Sequence, residues 1–318
     1  MPREAEASAD VSRTGTAAGF RLKGVAFILV GSALFSLHDA IVKLVSGTYP
    51  VSEVLAIRSL AGFVPLLALL YFDGGMGGLR TRRAGLHLLR ASLLFVTFAA
   101  YYVALAAIPL AEAASLYYSA PLFIVALSGP VLMERVGLDR WISVVLGFVG
   151  VIIVCRPSTG NLDWAALLGV ASAACYGSAQ IIARKLGSTD RASVMAFYQN
   201  AINLVGACGF GLLVRGGVDA DVHHASLQFL LRSWAAPVFG DLLVMASTGV
   251  LAVCGSWCLA HAYRISQANL VAPFEYAAIV MAVLWGLLIW GELPDLQAGV
   301  GMVLIVASGL YVLRPYRR

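Results

Sequence analysis

The chain has 318 residues, of which 60% are hydrophobic and only 12% are charged, and its mean hydropathy is +0.85. Soluble domains carry about 25% charged residues, so this composition excludes an ordinary soluble protein and predicts an all-α integral membrane protein. A net charge of +5 would suggest a nucleic-acid partner in a soluble chain, but here the basic residues lie in short loops between apolar runs, so no nucleic acid is expected.

The N-terminal segment differs from everything that follows it. Residues 1–21 are polar, rich in small side chains and without an apolar core, which predicts a disordered cytoplasmic tail rather than a signal peptide. Ten apolar runs follow, most of them near the length of about 20 residues that a membrane-spanning helix needs. They are numbered as spans 1 to 10: 24–45, 51–72, 88–108, 112–133, 140–155, 164–183, 192–214, 239–263, 267–290 and 296–313.

Basic residues divide unequally between the two sides of the predicted membrane. With a cytoplasmic N-terminus, seventeen Lys and Arg residues fall inside, four fall on or near the outside, and Arg58 lies within span 2. This bias predicts a multi-pass protein of the inner (plasma) membrane with both termini in the cytoplasm.

The two halves of the chain resemble one another when residues 116–135 are placed over residues 274–293, a shift of 158. The identities are Tyr118 with Tyr276, Ala120 with Ala278, Val125 with Val283, and Glu134 with Glu292. Five spans per half is an odd number, so the second half must enter the membrane upside down. We therefore predict two inverted five-helix repeats, residues 22–157 and 164–315, with a substrate site between them near the midplane.

Four stretches also carry a resemblance to a known family. They are "ALAAIPLAEAASLYYSAPLF" (104–123), "GPVLMERVGLDRW" (129–141), "AYRISQANLVAPFEYAAIV" (262–280) and "WGELPDLQAGVGMVLIVASG" (290–309). Over nearly all of residues 22–316 the chain resembles the EamA-type transporters of the drug/metabolite transporter superfamily. It looks most like the branch that includes riboflavin and S-adenosylmethionine uptake carriers. The resemblance implies ten helices in two inverted repeats, with spans 1, 3, 4, 6, 8 and 9 lining a central cavity.

Span 1 carries ionisable side chains in an otherwise apolar helix. Such residues cost about 2.5–3.5 kcal/mol at a helix centre, so they usually face protein or a water-filled cavity. The four-residue spacing predicts a local ion pair between Asp39 and Lys43, with Arg58 at comparable depth as another partner for Asp39 or for Glu53. A structural charge cluster and a gating or coupling group, with His38 as a candidate proton relay, both remain open. The candidate gating or coupling residues are His38, Asp39, Lys43 and Arg58.

Span 9 carries an acid about 12 Å from its cytoplasmic end, Glu275, two residues after Pro273. A carboxylate beside a proline kink, at the interface of two repeats, predicts a substrate or coupling site. Tyrosines within the spans could stack on a planar ligand and hydrogen-bond to it, although packing within the bundle is the alternative for each of them. The predicted substrate-binding residues are Glu275, Tyr276, Tyr118, Tyr117, Tyr102, Tyr176 and Trp257.

No catalytic residue, metal or cofactor is predicted. The five cysteines lie in apolar runs without zinc-finger or redox spacing, and Cys254 and Cys258, which share a helical face, are predicted to pack. The sequence lacks a G-x-S-x-G elbow, an H-E-x-x-H motif and a Walker A motif, which leaves a membrane-embedded enzyme as a distant alternative.

The sequence thus predicts a secondary-active or facilitative transporter. It would move a small metabolite, ring-bearing and vitamin- or nucleoside-like, across the inner membrane by alternating access. An exporter of amino acids or drugs with the same fold is the alternative. Expected partners are the small-molecule substrate, the lipid bilayer, a coupling ion (proton or sodium) and a second copy in a homodimer.

Overall fold

The computed structural model describes the backbone of residues 2–72, 79, 81–133, 137–155, 163–186, 191–214, 224–265 and 272–312. Side chains are described from Lys23 onward, except for eight near the ends of helices: Leu132, Arg184, Tyr263, Arg264, Ile265, Ala272, Pro273 and Val312. The predicted start of span 9 (267–271), the last residues of the chain (313–318) and Glu134 lie outside the described residues.

Every regular element within the described ranges is helical. The first six helices are α1 (Pro2–Val45), α2 (Val51–Phe72), α3 (Ala84–Leu105), α4 (Leu110–Tyr117), α5 (Ala120–Leu132) and α6 (Leu138–Cys155). The next four are α7 (Trp164–Leu186), α8 (Ala192–Leu213), α9 (Ala225–Leu231) and α10 (Phe239–Ile265). A 3₁₀ helix (Ala272–Tyr276), α11 (Ala277–Trp285), a π-helical segment (Gly286–Trp290) and α12 (Leu296–Val312) complete the chain.

Seven helical stretches in the described part of the chain are long and apolar enough to cross a membrane. They are Lys23–Val45, Val51–Phe72, Ala84–Leu105, Leu110–Val131, Leu138–Cys155, Trp164–Ala183 and Phe239–Ala262. Two further apolar segments, Phe274–Trp290 and Leu296–Tyr311, are shorter. Helix α8 is equally long but contains Gln199, Asn200 and Asn203, which lower its hydropathy. The all-helical membrane fold is confirmed, whereas the ten spans in two inverted repeats stay a prediction.

Helix α1 extends well beyond its apolar span. Its backbone is helical from Pro2, although the composition of residues 1–21 predicts a disordered tail. The segment is rich in alanine, glutamate and arginine, which have high helix propensity. Adding such residues to a helix that is already nucleated requires no new nucleation, which is the costly step.

The long helices pack mainly against helices of the other half of the chain. Helix α1 packs along α10 and α3 packs along α7, while α2 contacts α10 and α3 contacts α8. Helix α5 packs on α7, and α11 packs on α1. Helices α6 and α12 pair with each other, as do α2 and α8, and α4 and α11. If predicted spans 1–5 are exchanged for spans 6–10, each of the first six pairings named becomes another of them, and each of the last three becomes itself.

Two predicted spans are interrupted at positions that the internal alignment matches. Span 4 is divided into α4 and α5 by a turn at Tyr118 and Ser119, because Pro121 lacks the backbone N–H that would donate to the carbonyl of Tyr117. Span 9 starts as a 3₁₀ helix that contains Pro273, and it becomes α-helical after Tyr276. The α-helix resumes at Ala120 in span 4 and at Ala277 in span 9, and the shift of 158 places these two starts within one residue of each other.

Small residues of α7 let the interrupted span 4 approach closely. A Cβ atom at Gly169 would lie 3.2 Å from a side-chain carbon of Leu116, and one at Gly177 would lie 3.0 Å from the Cβ of Phe123. Helices that touch at glycine bring their neighbouring side chains together, and Tyr176 precedes Gly177 directly. The packing therefore sets the ring of Tyr176 beside α4.

Candidate functional site

Aromatic side chains from four helical elements form one connected group of rings. The centroid of Tyr117 lies 4.8 Å from that of Tyr101, 5.3 Å from that of Tyr176 and 5.7 Å from that of Tyr118. Tyr118 in turn lies 6.1 Å from Tyr276, across the two helix interruptions. The ring of Tyr102 joins through Tyr101 at 6.1 Å. We call the six residues Tyr101, Tyr102, Tyr117, Tyr118, Tyr176 and Tyr276 the tyrosine cluster.

Five of the seven predicted substrate-binding residues thus come together in this cluster. Tyr101 is the member that the predicted site lacks, and it is the residue that connects Tyr102 to Tyr117. The sequence held a signal for it, since Tyr101 and Tyr102 form a doublet in span 3 like the doublet Tyr117 and Tyr118 in span 4.

A hydrogen-bonded network connects the tyrosine cluster to α1. The hydroxyl of Tyr101 donates to Oδ2 of Asp39 at 2.8 Å, and Nδ1 of His38 lies 2.9 Å from Oδ1 of the same carboxylate. The hydroxyl of Tyr102 lies 2.9 Å from Nε2 of His38. A neutral imidazole satisfies both of its contacts, donating to Asp39 and accepting from Tyr102. His38 is buried, so this hydrogen-bonded network lies in the protein interior.

The predicted local pair between Asp39 and Lys43 is wrong. The ammonium of Lys43 lies 2.8 Å and 3.1 Å from the two carboxylate oxygens of Glu292, which follows span 9 in the other half of the chain. It also donates to the carbonyl of Ile108 at 3.1 Å and lies 4.9 Å from the ring centroid of Trp290. Asp39 is already bonded to His38 and Tyr101, so the ion pair forms between helices rather than along α1.

The predicted pairing of Arg58 with Asp39 or Glu53 is also wrong. Among the described residues, neither carboxylate lies within ion-pair distance of the guanidinium, which instead sits 4.5 Å from the ring centroid of Phe98. Glu53 accepts a hydrogen bond from the backbone N–H of Ala235 at 3.2 Å. A planar guanidinium over an aromatic face is a cation–π contact, which local charge spacing does not reveal.

Glu275 lies at the other end of the tyrosine cluster, in the 3₁₀ helix. Its carboxylate is within electrostatic range of the hydroxyls of Tyr118, Tyr176 and Tyr276. Glu275 therefore lies near three of the tyrosines that the sequence grouped with it.

Trp257 is placed apart from this cluster. Its ring stacks on His261 with centroids 5.1 Å apart, and it meets Phe27 edge-on at 5.9 Å. The indole is 45% exposed on the surface of α10. The structure therefore does not bring Trp257 into ring contact with the predicted tyrosines, because it joins a second aromatic group between α1 and α10.

A set of polar contacts ties the halves together near the end of α1 that carries Lys43. The hydroxyl of Tyr49 donates to Asp241 at 2.6 Å, which raises the pKa of Tyr49 and keeps it a donor. The indole of Trp234 donates to Ser52 at 2.8 Å. A cavity of about 410 Å³ lies at the same end and is separate from the tyrosine cluster. It is lined by Glu53, Ile57, Trp234, Ala235, Ala236, Pro237 and Leu242.

Comparison with known proteins gives a consistent assignment. The profile of the EamA-like transporter family matches residues 22–156 and 163–314, which is most of the chain. A solved crystal structure superposes with a TM-score of 0.59 at 19% identity, covering 92% of this chain and 96% of that one, which shows a shared fold.

Curated relatives of full length carry transporter names. A riboflavin transporter of Vibrio cholerae is 28% identical and covers 92% of this chain and 93% of its own. An S-adenosylmethionine uptake transporter of Rickettsia prowazekii is 23% identical, with 92% of both chains covered. A pseudopaline exporter of Pseudomonas aeruginosa is 26% identical over 92% of this chain and 96% of its own.

Proposed function

This chain belongs to the EamA-like transporter family, and on that premise we propose that it carries a ring-bearing metabolite across the plasma membrane by alternating access. The family membership makes it a multi-pass membrane transporter of small molecules rather than an enzyme. The substrate class, the mechanism and the membrane are our proposals.

The observation that carries the substrate class is the tyrosine cluster. Six tyrosines meet where two spans are interrupted, with Glu275 at one end and His38 with Asp39 at the other. Aromatic faces stack on planar rings, and a site with few polar groups among many apolar ones is typical of small-molecule binding. Discontinuous spans at the interface of two repeats are the usual location of transporter substrate sites.

Alternating access is supported by the way the helices pair. The pairings between the halves are unchanged when the predicted repeats, 22–157 and 164–315, are exchanged, as an inverted repeat requires. In such an architecture the inner and outer halves of the pathway open in turn. The ion pair between Lys43 and Glu292 joins the two halves on the predicted outer side, where it would hold the pathway closed to the outside.

We favour import over export because an S-adenosylmethionine uptake transporter is among the relatives. Export is the second candidate, and the pseudopaline exporter among the relatives is the observation that favours it. The hydrogen-bonded pair of His38 and Asp39 leads us to propose a proton rather than sodium as the coupling ion, because imidazole gains and loses protons near physiological pH. A homodimer remains part of the proposal.

Topology provides an independent prediction. Reporter fusions after Arg318 and after Arg215 should score cytoplasmic and external, respectively, because the basic residues collect on one side of the membrane. A phosphatase that is active only outside and a fluorescent protein that folds only inside would read the two positions. Two fusions on the same side would contradict the odd number of spans between them and with it the inverted repeat.

The proposed function is tested by uptake and by thermal unfolding together. Cells that express the chain should accumulate labelled riboflavin or S-adenosylmethionine faster than cells with an empty vector. The transported compound should also raise the unfolding temperature of the purified protein, since a ligand that binds the folded state stabilises it. If amino acids or drugs stabilise the protein and neither ring-bearing compound does, the exporter alternative is the better description.

A further inference from the structure

Arg58 is buried deep within the bundle of α1, α2 and α3. Its relative exposure is 7%, and its guanidinium lies 4.5 Å from the ring centroid of Phe98 and 5.7 Å from that of Tyr102. Such flat aromatic contacts orient the guanidinium but leave its edge, which carries the N–H donors, free for other contacts.

No protein group in the described part of the chain satisfies that edge. Nε of Arg58 is buried without a hydrogen-bond partner there. Both oxygens of the nearby Asp39 are bonded, to His38 and to Tyr101, while Glu53 bonds the backbone of Ala235. A buried cation is strongly disfavoured unless an anion accompanies it, so the arrangement is incomplete without a further group.

We propose that Arg58 is the anion subsite of the substrate pathway and binds a carboxylate or a phosphate that belongs to the transported metabolite. This inference rests on the proposed function, and it adds that the transported metabolite carries a negative charge. A guanidinium binds the two oxygens of such an anion through parallel hydrogen bonds. The rings of Phe98 and Tyr102, 4.5 Å and 5.7 Å from the guanidinium carbon, hold the guanidinium for that contact.

The position of Arg58 also indicates how the substrate lies. Ring contacts lead from Arg58 to Tyr102 and then through the tyrosine cluster to Tyr118, which is within electrostatic range of Glu275. A basic residue and an acidic residue thus stand at the two ends of an aromatic path. This arrangement fits a metabolite whose anionic group lies at Arg58 and whose ring lies among the tyrosines.

The test uses the full chain, purified in detergent, with three small probes. Benzoate carries a carboxylate, phenyl phosphate carries a phosphate, and benzyl alcohol is the uncharged control. At about 10 mM, a probe occupies most of a site whose Kd is near 1 mM. We expect one or both anions to raise the unfolding temperature of the parent more than benzyl alcohol does, and the stronger of the two identifies the anion.

Variants assign the effect to the guanidinium. Arg58→Gln should reduce the rise by at least about fivefold, whereas the matched control Arg82→Gln, at an exposed arginine, should keep it. Arg58→Lys retains the positive charge but loses the paired N–H donors of the guanidinium, so it should give an intermediate rise in unfolding temperature. If the glutamine variant does not fold, the lysine variant alone provides the test.

Two results would overturn the subsite: neither anion stabilises the parent beyond benzyl alcohol, or the folded Arg58 variants respond as the parent does. Uptake of the metabolite by the parent is measured separately. If the parent protein transports the metabolite but neither anion stabilises it, the anion subsite is refuted and the proposed function is retained.

Discussion

Replacing Glu275 by glutamine should lower uptake of the transported metabolite at least tenfold, which corresponds to about 1.4 kcal/mol of lost binding or transition free energy. Glutamine keeps the size of the side chain and its hydrogen-bonding capacity while it removes the charge. The carboxylate lies near three tyrosines of the cluster, so the substitution removes the negative charge at that end of the proposed site. Uptake is measured in cells at equal protein level, across pH 5–8.

The control for this variant is Asp139→Asn, which removes an exposed acid in the first turn of α6. It should transport like the parent, because it changes the net charge equally and lies outside the proposed site. The unfolding temperatures of both variants separate a loss of function from a loss of protein. A Glu275→Gln protein that transports like the parent over the whole pH range would make Glu275 structural and refute the site.

The ion pair between Lys43 and Glu292 has the second large expected effect. Lys43→Gln or Glu292→Gln alone should lower the free energy of unfolding by about 2 kcal/mol, between the values for exposed pairs and for fully buried ones. The side chain of Lys43 is 9% exposed and that of Glu292 is 33% exposed, which places the pair between those limits. If the pair closes the outer side, the single variants should also shift the protein towards the outward-open state.

A charge exchange tests whether the two residues act as a pair. Lys43→Glu combined with Glu292→Lys should recover more than half of the stability that either single charge reversal loses. Outward opening is followed by the labelling rate of a single introduced cysteine at Ser46, in a protein whose five native cysteines are replaced. Additive losses in the double variant would show that Lys43 and Glu292 do not interact, and unchanged labelling would exclude a role in closure.

The helical membrane fold could be predicted because it follows from composition and from the length of apolar runs, both of which are local properties. The interruptions in spans 4 and 9 were also readable, since Pro121 and Pro273 act on their own backbone. The tyrosines of the site could be named from their positions within spans, although the sequence could not say which of them touch.

Partners across the bundle were the part that sequence reasoning missed. Lys43 was assigned to Asp39, four residues away, yet it bonds to Glu292, which is 249 residues away. Arg58 was predicted to pair with a carboxylate, whereas its guanidinium lies over the ring of Phe98. Spacing along one helix measures only local neighbours, and in this fold most long helices have their principal partner in the other half of the chain.

That arrangement has a consequence for biogenesis. Helix α1 emerges from the ribosome early, while α10, along which it packs, is complete only after residue 265. At about 5–20 residues per second, roughly 220 residues of delay amount to some ten to forty seconds. During that interval the packing face of α1 is in the bilayer without α10, and Lys43 is without Glu292. The first half expressed alone should therefore be degraded, and co-expression of the two halves as separate chains should rescue it.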